Sequence, residues 1–191
     1  MLSPALARSL PRATLLALGL CGLLALFWPR GERRSASAGR GGAFDAPGGF
    51  LIDGLGRPSP LGERMADATL LHFWATWCAP CLTEIPAIQT LRRDLEAPGR
   101  FHVVLVAVAD SPDKVKTFLG DAAGAALYDP KWEVAHRYGT EKLPESYLVV
   151  RGRVVEKFAG ATDWDDPQVR ARLAARLEEA GVAAAAKQGA T

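Results

Sequence analysis

Cys78 and Cys81 are separated by two residues, in the run Trp77-Cys78-Ala79-Pro80-Cys81. An apolar run precedes them and a segment of helical spacing follows. Cys78 is therefore placed at a helix N-terminus, where unpaired N–H groups and the helix dipole favour a thiolate. Cys81 lies one turn further in, more sheltered and close enough to close a disulfide. Ala79-Pro80 suits the first turn, because the amide proton that proline lacks has no helical partner there. A pair so placed does thiol–disulfide exchange: the outer thiolate attacks, a mixed disulfide forms, and the inner thiol resolves it. Two other uses of the spacing are a zinc half-site and an inert bridge. Zinc needs two further ligands, but the third cysteine, Cys21, sits in an apolar leader, and His72, His102 and His136 are not paired at metal spacing. An inert bridge closing so short a loop stabilises little.

The elements that must position this pair alternate between strand and helix from about residue 50 to 180. Phe50-Leu51-Ile52, a turn at Asp53-Gly54 and the segment Leu55 to Leu61 predict a short leading hairpin. Leu70 to Trp74 predicts a buried strand feeding the cysteine turn. Ala79 to Glu96 has Leu82, Ile85, Ile88, Leu91 and Leu95 on one stripe, a helix in which Pro86 is expected to cause a kink. Phe101 to Ala109 predicts a second buried strand, and Ser111-Pro112 starts another helix. A short helix at Trp132 to Tyr138 follows, then a hairpin of 146–150 and 154–158 turning through Arg151-Gly152-Arg153. A last helix opens at Asp165-Asp166-Pro167. The sum is an α/β fold with a mixed central sheet and helices on both faces.

The 191 residues are 49% hydrophobic and 23% charged, which excludes a disordered chain, and three cysteines cannot staple a disulfide-dense one. The net charge of +2 is uneven. Residues 1–40 hold six Arg against Glu32 alone, leaving 17 basic and 20 acidic side chains in the remainder, so nothing in the folded part asks for nucleic acid. Residues 13–28 are an uncharged apolar run preceded by Arg8 and Arg12, the pattern of a signal or short membrane anchor. The segments expected are a signal or anchor at 1–28, a Gly/Ser/Arg-rich linker at 29–49, a folded domain at 50–181 and a disordered tail at 182–191. Arg30, Arg33 and Arg34 after the apolar run favour, by charge alone, an orientation that keeps the domain inside.

The stretch Phe73-Trp74-Ala75-Thr76-Trp77-Cys78-Ala79-Pro80-Cys81, with Glu84 and Pro86 after it, resembles the thioredoxin superfamily. More narrowly it is similar to the membrane-anchored TlpA/ResA-like thiol–disulfide oxidoreductases of bacteria. The likeness spans about residues 50–180. It includes Val115, Lys116 and Phe118, the run Tyr128-Asp129-Pro130, and Leu143-Pro144-Glu145-Ser146-Tyr147. It implies a thioredoxin-like three-layer fold. Cys78 then matches the attacking cysteine, Cys81 the resolving one, Pro144 the superfamily's cis-proline, and Glu84 an acidic residue that tunes active-site protonation. Two positions depart from relatives. His72 stands where thioredoxins carry a buried acid, and Leu143 is apolar, so client selectivity does not transfer.

The expectation is an enzyme that reduces client disulfides, as in cytochrome c maturation or copper-site assembly. The resemblance implies protein thiol clients, a membrane electron donor, no cofactor, and a single-pass location in the inner membrane. The resemblance outweighs the charge bias of the Arg residues, so the domain would face the periplasm or cell exterior, or be soluble in the periplasm if the leader is cleaved. Competing expectations are a copper- or haem-delivery chaperone, which wants a Met or His beside the dithiol, and a peroxidase. His72 is expected to share with Glu84 the task of accepting the Cys81 proton.

Overall fold

The computed structural model describes residues 44–96 and 100–182. The apolar leader and most of the linker lie outside them. Among the described residues, no helix is long and apolar enough to cross a membrane.

Among the described residues, eight strands form one sheet: β1 (Phe44–Asp45), β2 (Phe50–Ile52), β3 (Pro58–Pro60), β4 (Ala68–Trp74), β5 (Phe101–Val108), β6 (Leu127–Asp129), β7 (Glu145–Val150) and β8 (Arg153–Ala159). Their order is β1-β8-β7-β4-β5-β6-β2-β3. β5 runs parallel to β4 and to β6, whereas β7 is antiparallel to β4 and β8 is antiparallel to β7. Every residue of β4 is buried, as a central strand covered on both faces requires. Among the described residues, four α-helices complete the fold: α1 (Ala79–Leu95), α2 (Pro112–Leu119), α3 (Glu133–Arg137) and α4 (Pro167–Glu179).

Alternation along β4 divides the core. Leu70 and Trp74 pack with Ile85, Ile88 and Leu91 of α1 and with Leu173 and Leu177 of α4. Leu71 and Phe73 point the other way, against Val134 and Tyr138 beside α3 and Tyr147 of β7. His72 shares the α1 side with Leu70 and Trp74, since side chains two apart on a strand share a face.

α1 runs through Pro86 to Leu95, as the spacing predicted. Other boundaries differ from expectation. The leading hairpin is shorter than predicted, because Leu61–Arg64 turns into a 3-10 helix. The end of the segment read as linker joins the sheet edge. Phe44 pairs with Val154, and Ala46 N–H donates to Gly152 O at 2.7 Å. Tyr128 lies in β6, a three-residue strand too short to show a period in sequence. Val182, assigned to the tail, is fully buried in the core. Gly181 adopts φ +66°, reversing the chain so that Val182 N–H donates to Leu177 O at 2.8 Å, the return expected of a glycine after a helix.

Candidate functional site

Cys78 and Cys81 are joined in a disulfide, with their Cα atoms 5.3 Å apart. Cys78 is the N-cap of α1 and its carbonyl accepts from Cys81 N–H and Leu82 N–H, so the helix begins around the bridge. Cys78 keeps 6% of its surface exposed and Cys81 none, the ordering the spacing predicted for an outer and an inner thiol.

The turn before Cys78 is tied down from the ends of β5 and β6. Thr76 donates both its backbone N–H and its hydroxyl to the Asp110 carboxylate. Trp77, 57% exposed, donates its indole N–H to Ala109 O at 3.1 Å. Its ring lies 6.4 Å from that of Trp132, which stacks on His136 at 5.6 Å. An aromatic strip thus adjoins the disulfide. Trp132 holds a left-handed backbone, φ 63°, in the turn that Asp129 builds by accepting the N–H groups of Glu133, Val134 and Ala135.

The Leu143–Pro144 peptide is cis. Glu145 pairs with Phe73 across the antiparallel β4–β7 ladder, which brings the start of β7 beside the end of β4 that leads to the cysteines. Pro144 O accepts from Gly160 N–H at 3.0 Å, fastening the proline turn to the end of β8.

His72 and Glu84 meet behind this turn. His72 Nε2 stands 3.4 Å from Glu84 Oε1, close but without hydrogen-bond geometry, and among the described residues neither atom has a hydrogen-bond partner. Glu84 Oε2 accepts from Thr162 N–H at 2.9 Å and Trp164 Nε1–H at 3.3 Å. Burial raises the Glu84 pKa to about 7, against the lowering effect of those two donors. Burial alone lowers that of His72 to about 3, so the imidazole is neutral near pH 7. Glu84 sits one turn beyond Cys81 on the buried face of α1, the i, i+3 relation that makes neighbours on a helix.

The structure therefore gathers Cys78, Cys81, Glu84 and His72 about the start of α1 and puts Pro144 at the same end of the sheet. Sequence reasoning missed Asp110, Thr162, Trp164 and Ser146, whose hydroxyl lies 2.8 Å from His72 Nδ1. Ser146 falls within the Leu143–Tyr147 run that carries the resemblance, but only the strand register pairs it with His72. Among the described residues, no three His, Cys, Asp or Glu side chains are grouped to hold a metal ion.

A mixed sheet with a two-cysteine bridge at a helix N-terminus and a cis-proline on the neighbouring strand end defines a thioredoxin-like redox fold. The chain belongs to the Redoxin family, whose model matches residues 51–173. It is 34% identical over 96 residues to the thiol:disulfide interchange protein CycY of Rhizobium leguminosarum, covering 48% of this chain and 50% of that one. It is 29% identical over 119 residues to the thiol-disulfide oxidoreductase ResA of Bacillus subtilis, covering 61% and 66%. The chain thus spans less than two thirds of the length of either relative. A Chlorobium tepidum structure described as a thiol:disulfide interchange protein DsbE superposes with a TM-score of 0.62 at 27% identity, covering 73% of this chain and 99% of that one.

Proposed function

We propose that this chain is an extracytoplasmic thiol–disulfide oxidoreductase that reduces disulfides of client proteins. The observation that supports it most is the Cys78–Cys81 pair at the N-terminus of α1, with a buried carboxylate one turn beyond the inner cysteine. In the dithiol form, the Cys78 thiolate attacks a client disulfide and one client thiolate leaves. Cys81 then loses its proton, attacks the Cys78 sulfur, and releases the second client thiolate as the Cys78–Cys81 disulfide re-forms. Two electrons pass to the client, and a membrane electron donor restores the dithiol.

A sheltered thiol ionises poorly without a nearby acceptor. Glu84, with its pKa raised to about 7, is matched to take that proton near neutral pH, and His72 faces its second oxygen. The cis Leu143–Pro144 peptide presents the half-buried backbone of Leu143, just before β7, for a client segment to lie along. The resemblance to the TlpA/ResA-like oxidoreductases points to clients such as proteins of cytochrome c maturation or copper-site assembly. The apolar run at 13–28 serves as the anchor and residues 29–43 as the tether.

The test is a trap. Cys81→Ser keeps the attacking thiol and removes resolution, so client proteins should accumulate as mixed disulfides through Cys78, to be identified by mass spectrometry. Trapping by Cys78→Ser instead would reverse the two roles.

A further inference from the structure

His72 and Ser146 face each other across the β4–β7 ladder, both buried, with Nδ1 and Oγ 2.8 Å apart. Among the described residues the Ser146 hydroxyl has no other partner, so its proton has one buried acceptor within reach. A hydroxyl that donates to Nδ1 is satisfied. One that merely accepts from an Nδ1–H leaves its own proton unpaired in the core, which is costly. If Nδ1 accepts, the single proton of the neutral ring is on Nε2. That nitrogen faces Glu84 Oε1 at 3.4 Å, while Oε2 already takes two N–H donors.

We propose that Ser146 fixes His72 as its Nε2–H tautomer, so that His72 is a donor to the Glu84 carboxylate and not a base. Ser146 and His72 are then positioning residues, acting on the proton transfer through Glu84. With Nδ1 engaged by Ser146 and Nε2 already protonated, the ring has no free lone pair for the Cys81 proton. Two donors already hold Oε2, Thr162 N–H and Trp164 Nε1–H, and His72 Nε2–H stands 3.4 Å from the unpartnered Oε1, where a small closure makes it the third. They favour its ionised form against the pull of burial and aim it for the next proton. Among the described residues, the titratable groups about Glu84 are His72 from β4 and Cys81 from its own helix. The loop between β8 and α4 reaches the carboxylate through Thr162 and Trp164, which do not ionise near neutrality, while its Asp163 is exposed and accepts from Asp165 N–H, and β7 acts through Ser146.

This inference rests on Glu84 as the proton acceptor for Cys81, and the experiment separates the two. Long-range 15N–1H correlation spectra of the 15N-histidine-labelled full chain, with His72→Asn to assign the signal, read the tautomer directly. The Nε2–H form should persist across roughly pH 6–8; an Nδ1–H form overturns the proposal. Ser146→Ala should move the midpoint of the pH profile for model-disulfide reduction upward by about one unit, and Ser146→Thr should restore it. A Ser146→Ala midpoint equal to that of the natural protein also overturns the proposal. Glu84→Gln that keeps the natural pH profile removes Glu84 from the mechanism, whereas the tautomer spectrum continues to decide the role of Ser146.

Discussion

Thr76, two residues before Cys78, gives both its amide proton and its hydroxyl proton to the Asp110 carboxylate. The bond joins the loops that leave two parallel neighbours, β4 and β5, at the same end of the sheet. Asp110 also accepts from its neighbour Ser111 N–H at 2.8 Å, so one carboxylate fixes the cysteine turn and the start of α2 together.

Asp110→Ala should therefore destabilise the domain by about 1–3 kcal/mol, the cost of leaving partly buried donors unpaired. Asp110→Asn keeps one acceptor oxygen and should lose less. Urea unfolding at constant m-value reads both. An Asp110→Ala midpoint equal to that of the parent would mean that water replaces the carboxylate at no cost.

Ala109 offers the opposite lever. It holds φ 46° with an exposed side chain, while its N–H donates to Asp129 O and its carbonyl accepts from Trp77. A left-handed backbone costs an L residue about 1–2 kcal/mol, and glycine escapes that cost but orders at a higher entropy penalty of about 0.5–1 kcal/mol. Ala109→Gly should raise stability by up to about 1 kcal/mol, seen as a higher melting temperature. A fall in melting temperature would show that the Ala109 methyl makes a contact worth more than the relief.

The exposure difference between the two thiols sets a chemical ordering. Cys78 caps α1 and borders solvent, whereas Cys81 is enclosed. Iodoacetamide should alkylate Cys78 of the reduced chain at least about tenfold faster at neutral pH, because thiolate fraction and access both favour it. Peptide mass mapping after a short pulse reads the ratio. Faster labelling of Cys81 would overturn the assigned roles.

What could be read without coordinates follows the range of the interactions. The Trp77–Cys81 motif, the stripe from Ile85 to Leu91 and the hairpin through Gly152 are local patterns, and each appears where the residues placed it. β1 and β6 are two and three residues long, and they exist because an edge or a neighbour already offers a ladder. Val182 belongs to the core only because Gly181 turns the chain back, a conformation that an Ala-rich tail hides. The setting of Glu84 is hardest to read. Its partners Thr162 and Trp164 stand 78 and 80 residues away, and Ser146 reaches His72 across 74, so no spacing rule connects them.

His72 and Glu84 should also shape stability against pH, with opposite signs. A carboxyl whose folded pKa lies above its ordinary value, as Glu84 does at about 7 against 4.5, binds its proton more tightly when folded. Its contribution is present below pH 4.5 and is lost as pH rises towards 7. An imidazole whose folded pKa is lowered, as for His72 at about 3 against 6.5, binds its proton less tightly when folded. Its contribution is present above pH 6.5 and is lost as pH falls towards 3. Each slope is at most about 1.4 kcal/mol per pH unit, so between 4.5 and 6.5 the two oppose each other and this pair leaves stability nearly flat. Removing one partner should unmask the other. Glu84→Gln should make stability rise with pH through this window relative to the parent, and His72→Asn should make it fall. Urea unfolding of the oxidised chain at half-unit pH steps measures the slopes, and equal slopes in parent and both variants would show that neither group changes its protonation on folding.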